Sequence, residues 1–134
     1  MNSITIEAKI QNIPSVTDQI DEYLESLDCP MREQMQIDVA VDEIITNVSM
    51  YAYGDSTGIV TIEYDKLSEG GIKLVFIDTG VPFDPTKHED PDTSLSAEER
   101  RIGGLGIYMV KKSMDELVYE RKGDSNVFTV TKYF

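Results

Sequence analysis

Two strand-like segments separated by a short polar connection constrain the fold more than any other feature of this sequence. Residues 59–65 read IVTIEYD, residues 72–78 read IKLVFID, and the connecting KLSEGG ends in two glycines. Segments of this length and composition predict strands, and a short glycine-containing connection predicts a β-hairpin. Because the strands of a hairpin are antiparallel neighbours, this part of the chain argues against a parallel, doubly wound sheet.

The rest of the chain supplies further strands and three helices. Residues 3–10 alternate apolar and polar side chains, as a half-buried strand does, whereas 15–27 and 31–53 carry apolar residues at helical spacing. Residues 103–117, a glycine cluster that runs into a helix, and two closing strands follow. The predicted fold class is therefore α+β, a two-layer α/β sandwich with a mostly antiparallel, mixed sheet and helices on one face.

Length and charge limit the classes of function. A chain of 134 residues with a net charge of −13 predicts a single domain, 1–134, without a basic face for nucleic acid or anionic membranes. Such a charge favours a neutral or basic partner protein. The N-terminus alternates like a strand rather than a signal peptide, and a single cysteine, Cys29, suits a reducing cytoplasm. We therefore expect a cytoplasmic protein.

Two polar residues flank the apolar stripe of the long second helix. Glu43 and Asn47 are four residues apart, so their side chains share one helix face. An amide oxygen at such an edge can bind Mg²⁺, and a carboxylate can act as a base. An ordinary solvated helix face has the same spacing and stays open as an alternative.

An aspartate ends the second strand of the predicted hairpin, in the motif Asp78-Thr79-Gly80. Its carboxylate can be a catalytic acid, a hydrogen-bond acceptor for a ligand, or the first residue of a turn. Aspartic proteases also carry this motif after a strand, but a single copy here would require a symmetric dimer to form the catalytic pair. The long amphipathic helices also argue against an all-β protease.

A glycine cluster precedes the third helix, after a long segment without hydrophobic periodicity. Gly103, Gly104 and Gly106 would let the backbone approach a ligand, and the helix N-terminus would attract phosphate. The cluster is neither the dinucleotide motif nor a P-loop, and a plain loop-to-helix junction is the alternative. The preceding segment, 82–102, has the length of a functional lid or a disordered loop.

Three segments in fixed order resemble one family: VDEIITNVSMYAYG, FIDTGVPFDP and IGGLGIYMVKKSMDELVYER. They are similar to the helix box, the Asp-x-Gly box and the glycine box of the GHKL ATPase superfamily, whose domain is the Bergerat fold. Within it, the chain resembles the small bacterial anti-sigma-factor serine kinases. The resemblance implies ATP and Mg²⁺ as cofactors.

The resemblance also implies roles for the polar residues of the first two segments. Asn47 would coordinate the Mg²⁺ that bridges the ATP phosphates, and Glu43 would be the general base for the attacking hydroxyl. Asp78 would accept a hydrogen bond from the adenine amino group, with Gly80 making room for the ring.

The third segment would hold the phosphates. Gly104, Leu105 and Gly106 would bring backbone N–H groups to them, and residues 83–102 would form the ATP lid. Four cations near the glycine box would add positive charge: Arg100, Arg101, Lys111 and Lys112.

The chain departs from the family pattern at two places. Tyr51 stands where family members often have histidine near the end of the helix box. Asp124-Ser125 stands in place of a common Gly-Thr pair, which leaves the Ser125 hydroxyl as the expected contact to adenine.

The resemblance implies an ATP-binding anti-sigma factor and serine protein kinase. Such a protein phosphorylates a small antagonist protein, reversibly sequesters a sigma factor and forms a homodimer. The alternative is a GHKL module that binds ATP and regulates a partner without efficient kinase activity.

Overall fold

One layer of the protein is a five-stranded antiparallel sheet. The computed structural model describes residues 1–54, 56–87 and 104–134. The strands run in the order β1-β2-β3-β5-β4, and every described pair is antiparallel. Their bounds are β1 Asn2–Glu7, β2 Ile59–Lys66, β3 Gly71–Asp78, β4 Glu116–Lys122 and β5 Ser125–Tyr133.

The predicted hairpin is present as β2 and β3, with Val60 opposite Asp78 and Lys66 opposite Ile72. Its turn closes through Gly71, whose φ of 133° is in the region that favours glycine. A Cβ at Gly71 would lie 2.3 Å from the Lys132 carbonyl oxygen of the neighbouring strand β5. Glycine at this position therefore serves both the turn and the close approach of β5.

Strand β5 lies between β3 and β4, so the last strand in sequence occupies a central position in the sheet. Its register places Asn126 directly opposite Asp78 and Phe128 opposite Phe76. The carboxyl end of β3 and the amino end of β5 therefore lie side by side at the same end of the sheet.

Three helices cover one face of the sheet: α1 (Ile13–Ser26), α2 (Met31–Asn47) and α3 (Gly104–Ser113). The second helix continues through a wider π-helical turn, Val48–Ala52, which accounts for the predicted helical span 31–53. Apolar stripes of the helices pack on alternate strand residues to form the core, which includes Ile20, Leu24, Ile37, Val41, Ile62, Leu74, Phe76, Val110 and Val130. This arrangement confirms the predicted α+β class with helices on one face.

Within the described residues, none of the helices is long and apolar enough to cross a membrane.

Candidate functional site

A cleft opens where the end of α2 and the start of α3 meet the end of the sheet at which β3 terminates in Asp78. About 30 Å³ of it is internal cavity, and the volume with the open space at its mouth included is about 400 Å³. Three of the segments predicted to form a site therefore contribute to one cleft. The lining residues are Ile44, Asn47, Val48, Ala52, Phe76, Asp78, Phe83, Pro85, Ile107, Tyr119, Asn126 and Phe128.

Asn47, the last residue of α2, presents an unsatisfied amide to this cleft. Its side chain is 4% exposed, and neither Oδ1 nor Nδ2 has a hydrogen-bond partner among the described residues. An unpaired buried polar group costs about 1–3 kcal/mol, so such groups commonly await a ligand. A hard amide oxygen fits Mg²⁺, which takes few protein ligands and keeps water and phosphate oxygens as the others.

The wider helical turn begins at the residue after Asn47. It brings Val48 and Ala52 to the cleft wall and leaves the Ala52 carbonyl to accept a hydrogen bond from Val81 N at 2.7 Å. Single π-helical turns of this kind are frequent at functional sites. Here the turn joins the end of α2 to the segment that follows β3.

Glu43 lies one turn before Asn47 and is partly exposed. Burial, and then the neighbouring charge of Asp42, raises the pKa of its carboxyl above the usual range. A carboxylate with a raised pKa is a stronger base near neutral pH. Glu43 is not among the described residues that line the cleft.

Asp78 forms the turn at the end of β3, and its role as an acceptor for a ligand stays a prediction. Its buried Oδ1 accepts hydrogen bonds from Gly80 N and from Asn126 Nδ2, both at 2.9 Å. The first bond is the turn expected of an aspartate before glycine. Within the described part of the chain, Oδ2 receives no hydrogen bond, which leaves one acceptor for a ligand in the cleft.

The end of α2 leaves no room for a side chain at Gly80. A Cβ at this position would lie 2.2 Å from the carbonyl oxygen of Ala52 and 2.6 Å from its Cβ. Glycine therefore allows the close contact between the backbone after β3 and the end of α2. The role that the resemblance implied, making room for the adenine ring, stays a prediction.

The glycine box begins α3 and does not precede it. Gly104, Leu105 and Gly106 form the first turn of this helix, where backbone N–H groups have no intrahelical partner. Ile107, in the next turn, lines the cleft. The lid residues 88–102, with Arg100 and Arg101, and also Gly103, lie outside the described residues.

Lys111 and Lys112 lie in the last turn of α3, at the end away from its glycine-containing first turn. The Lys112 Nζ lies 5.3 Å from the centre of the Tyr108 ring. The described lining of the cleft includes neither lysine.

The structure does not bring Ser125 into the cleft. In β5, Asn126, Phe128 and Val130 are buried on the helix-facing side, and alternation places Ser125 on the opposite face. Asn126 is therefore the residue that sequence reasoning missed. Counting back in steps of two from the apolar Phe128 and Val130 would have identified it.

Comparison with known proteins assigns the chain to a family. Residues 6–132 match the histidine kinase-like ATPase domain. The chain belongs to this family, and the resemblance to GHKL ATPases drawn from its three segments is confirmed.

Curated relatives within this family include serine-protein kinases. The chain is 34% identical over 102 residues to serine-protein kinase RsbW of Staphylococcus aureus (strain MSSA476), which covers 71% of this chain and 62% of that protein. It is 35% identical over 97 residues to serine-protein kinase RsbW of Listeria monocytogenes, with 68% and 61% covered. The chain thus spans less than two thirds of the length of these relatives.

Solved structures share the fold. The RsbU and RsbW domains of Rv1364c from Mycobacterium tuberculosis align with a TM-score of 0.63 at 17% identity, over 99% of this chain and 32% of that one. The SiaB–SiaC complex from Pseudomonas aeruginosa aligns with a TM-score of 0.60 at 14% identity, over 98% and 89%. At these identities the likeness concerns the fold alone.

Proposed function

We propose that this chain is an ATP-dependent serine protein kinase that also acts as an anti-sigma factor. It phosphorylates a small antagonist protein on serine and reversibly sequesters a sigma factor, as a cytoplasmic homodimer. The observation that carries the proposal is the Asn47 amide, which is buried without a partner among the described residues in a cleft that Asp78 also lines. The names of the curated relatives support the serine-kinase part of it.

The residues divide the recognition of ATP between the two ends of the cleft. Asp78 Oδ2 accepts a hydrogen bond from the exocyclic amino group of adenine, and Phe76 and Phe128 supply apolar surface for the ring. At the other end, the first turn of α3 donates backbone N–H groups to the phosphates. Asn47 would hold Mg²⁺ through Oδ1, and the metal would supply positive charge against the transferring phosphoryl group.

Glu43 receives the proton of the attacking serine hydroxyl. Its position one turn before Asn47 lets a partner protein present a serine there while the phosphates remain at Asn47. The carboxylate both orients the hydroxyl and accepts its proton as the bond to phosphorus forms.

The charge of the chain bears on the partners. A net charge of −13 steers neutral and basic proteins toward the molecule and disfavours acidic ones. A sigma factor, which carries basic DNA-binding elements, fits this requirement.

The second candidate is an ATP-binding regulatory module without efficient kinase activity. The position of Glu43 favours it, because the described cleft lining does not include this carboxylate. The two candidates share nucleotide binding and differ in phosphoryl transfer.

Calorimetry with ATP, with and without Mg²⁺, tests the shared part. We expect the wild-type chain to bind Mg-ATP and Asn47→Ala to lose the dependence on Mg²⁺. Gln34→Ala removes another buried amide of α2, about 20 Å along the helix from Asn47, and should bind as the wild type does. Unchanged Mg-ATP affinity in Asn47→Ala would overturn the metal assignment.

Phosphate transfer separates the two candidates. The purified chain is mixed with ATP, Mg²⁺ and a candidate antagonist protein, and phosphoserine is measured by mass spectrometry. Transfer supports the kinase, whereas binding of ATP without transfer supports the regulatory module.

A further inference from the structure

We infer that Asn126 is a positioning residue that sets the selectivity of the nucleobase site without contacting the base. The inference rests on the proposed function, since it concerns how Asp78 recognises adenine. It arises from the hydrogen bonds around Asn126, a residue 4% exposed at the wall of the cleft.

Every hydrogen-bonding group of the Asn126 side chain is used within the protein. Nδ2 donates to Asp78 Oδ1 at 2.9 Å and to the Val81 carbonyl oxygen at 2.8 Å. Oδ1 accepts from the Tyr119 hydroxyl at 2.5 Å and from Phe83 N at 3.3 Å. A carboxamide has two donor hydrogens and two acceptor lone pairs, so nothing remains for a ligand.

The chemistry of these partners fixes the orientation of the amide. Nδ2 faces two oxygens that can only accept, a carboxylate and a carbonyl. Oδ1 faces a backbone N–H, which can only donate. Rotating the amide by 180° would place Oδ1 against the Asp78 carboxylate and break this set of bonds.

The orientation of Asn126 decides which oxygen of Asp78 a ligand can use. Because Asn126 and Gly80 N both bind Oδ1, the carboxylate is held in one rotamer with Oδ2 as its remaining acceptor. An exocyclic amino group at that point can donate to Oδ2. A carbonyl oxygen at the same place would meet a carboxylate with no donor between them, which is a costly mismatch in a buried site.

The same amide also fixes the wall of the cleft. Through Val81 and Phe83 it holds the backbone that follows β3, and the Phe83 ring stacks on Tyr51 with centroids 5.6 Å apart. Loss of Asn126 would therefore release both the acceptor and the segment beside it.

The test compares ATP with inosine triphosphate, which has a carbonyl in place of the adenine amino group. Dissociation constants for both are measured by calorimetry with Mg²⁺ on the full chain. In Asn126→Ala we expect ATP affinity to fall about tenfold while inosine triphosphate affinity changes little, so the ratio of the two constants collapses. Ser125→Ala, a neighbouring position on the opposite face, should keep the wild-type ratio.

A second variant provides a pH readout. Asn126→Asp keeps the size of the side chain but places a second carboxyl beside Asp78 in place of the donor Nδ2. We expect its preference for ATP to be low at pH 8 and to recover as pH falls, because a shared proton restores the hydrogen bond between the two carboxyls. This variant also serves if Asn126→Ala fails to show a cooperative melting transition without nucleotide.

The outcomes separate this inference from the proposed function. No ATP binding by the wild-type chain would overturn both. Wild-type preference for ATP, with the same ratio in Asn126→Ala and Asn126→Asp, would overturn only the role of Asn126. Equal weakening of both nucleotides would assign Asn126 a purely structural role and would also overturn it.

Discussion

Asn47 and Glu43 show how one helix turn gives two polar residues different chemistry. Asn47 is buried without a partner among the described residues, whereas Glu43 is half-buried beside Asp42 and its carboxyl has a raised pKa. Because both groups are desolvated, the Asn47 amide is stabilised when it binds a ligand, and the Glu43 carboxylate is stabilised when it binds a proton. The proposed division into metal ligand and base follows from this difference.

The role of Glu43 can be tested by its neutral isostere. Glu43→Gln should slow phosphoryl transfer to the antagonist protein by about 10²-fold or more, because an amide cannot accept the proton. ATP affinity by calorimetry should stay at the wild-type value. Single-turnover transfer at the wild-type rate in Glu43→Gln would contradict the assignment.

The raised pKa of Glu43 also predicts how the rate of phosphoryl transfer changes with pH. The ionised carboxylate is the active form and its pKa is raised, so the wild-type transfer rate should rise with pH at values above those usual for glutamate. Asp42→Asn removes a neighbouring negative charge and should move this rise toward lower pH. A rate profile that does not move in Asp42→Asn would show that Asp42 has no influence on the base.

Sequence reasoning located these residues unequally. Asn47 could be found because it shares a face with Glu43 on a clearly periodic helix, and Asp78 because it ends a strand; both line the cleft. No motif marks Asn126: alternation from Phe128 gives the face on which it lies, but its importance comes from being opposite Asp78 across two strands 48 residues apart. Register between distant strands depends on packing that local sequence does not contain.

At the level of elements, the contact between the end of α2 and the segment after β3 organises the cleft. Val81 N donates to the Ala52 carbonyl, and Thr79 N donates to the Tyr53 hydroxyl at 2.9 Å. The Tyr53 hydroxyl in turn donates to the Ile59 carbonyl, at the start of β2. The helix end, the hairpin and the segment after β3 are therefore joined by direct hydrogen bonds.

Gly80→Ala tests this contact. The added methyl group would meet the Ala52 backbone, which cannot move without disturbing the helix end, so we expect a loss of about 1–3 kcal/mol in the free energy of unfolding. Urea denaturation measures it. The exposed neighbour Thr79→Ala should change stability by less than about 0.5 kcal/mol. Equal stability of the two variants would show that the contact is looser than described.

The π-helical turn could not be predicted from the sequence. Apolar spacing over 31–53 predicted a helix, and the helix is present, but a widened turn changes the spacing by a single residue near its end. Such a turn is set by what packs around it, here Gly80 and Val81.

For the whole molecule, the element order and the antiparallel sheet followed from the sequence, whereas the strand order did not. The hairpin signals fixed β2 next to β3. Placement of β5 between β3 and β4 depends on which long-range pairing buries more apolar surface, and local patterns do not determine that. The net charge of −13 likewise does not predict where in the fold acidic groups lie close together.

One crowded place lies between α1 and α2 and gives a prediction for global stability. Burial, and then the hydrogen bond and charge of Asp21, raises the pKa of Asp38 from 3.8 to about 8. The folded protein therefore holds a proton that the unfolded chain releases, so this group stabilises the fold fully below pH about 4 and loses that contribution as pH rises toward 8.

Asp38→Asn should remove the loss of folding stability that Asp38 causes as pH rises. Relative to the wild type, we expect the variant to gain stability progressively between pH 5 and pH 9 in chemical denaturation, since the amide has no proton to release. Glu22→Gln, on the exposed face of α1, removes the same charge and should not reproduce the trend. Stability curves for Asp38→Asn and the wild type that stay parallel across this range would contradict the prediction.

The central position of β3 affects how stably Asp78, the proposed acceptor for the nucleobase, is held in place. A strand bonded on both edges exchanges its amide hydrogens only when the entire domain opens, whereas edge strands fray far more often. Since Asp78 terminates β3 and is bonded to the equally central β5, its carboxylate keeps its place through local fluctuations. In the proposed complex with ATP, warming the protein toward its melting point should therefore weaken binding of the phosphates before it lowers the selectivity for the base.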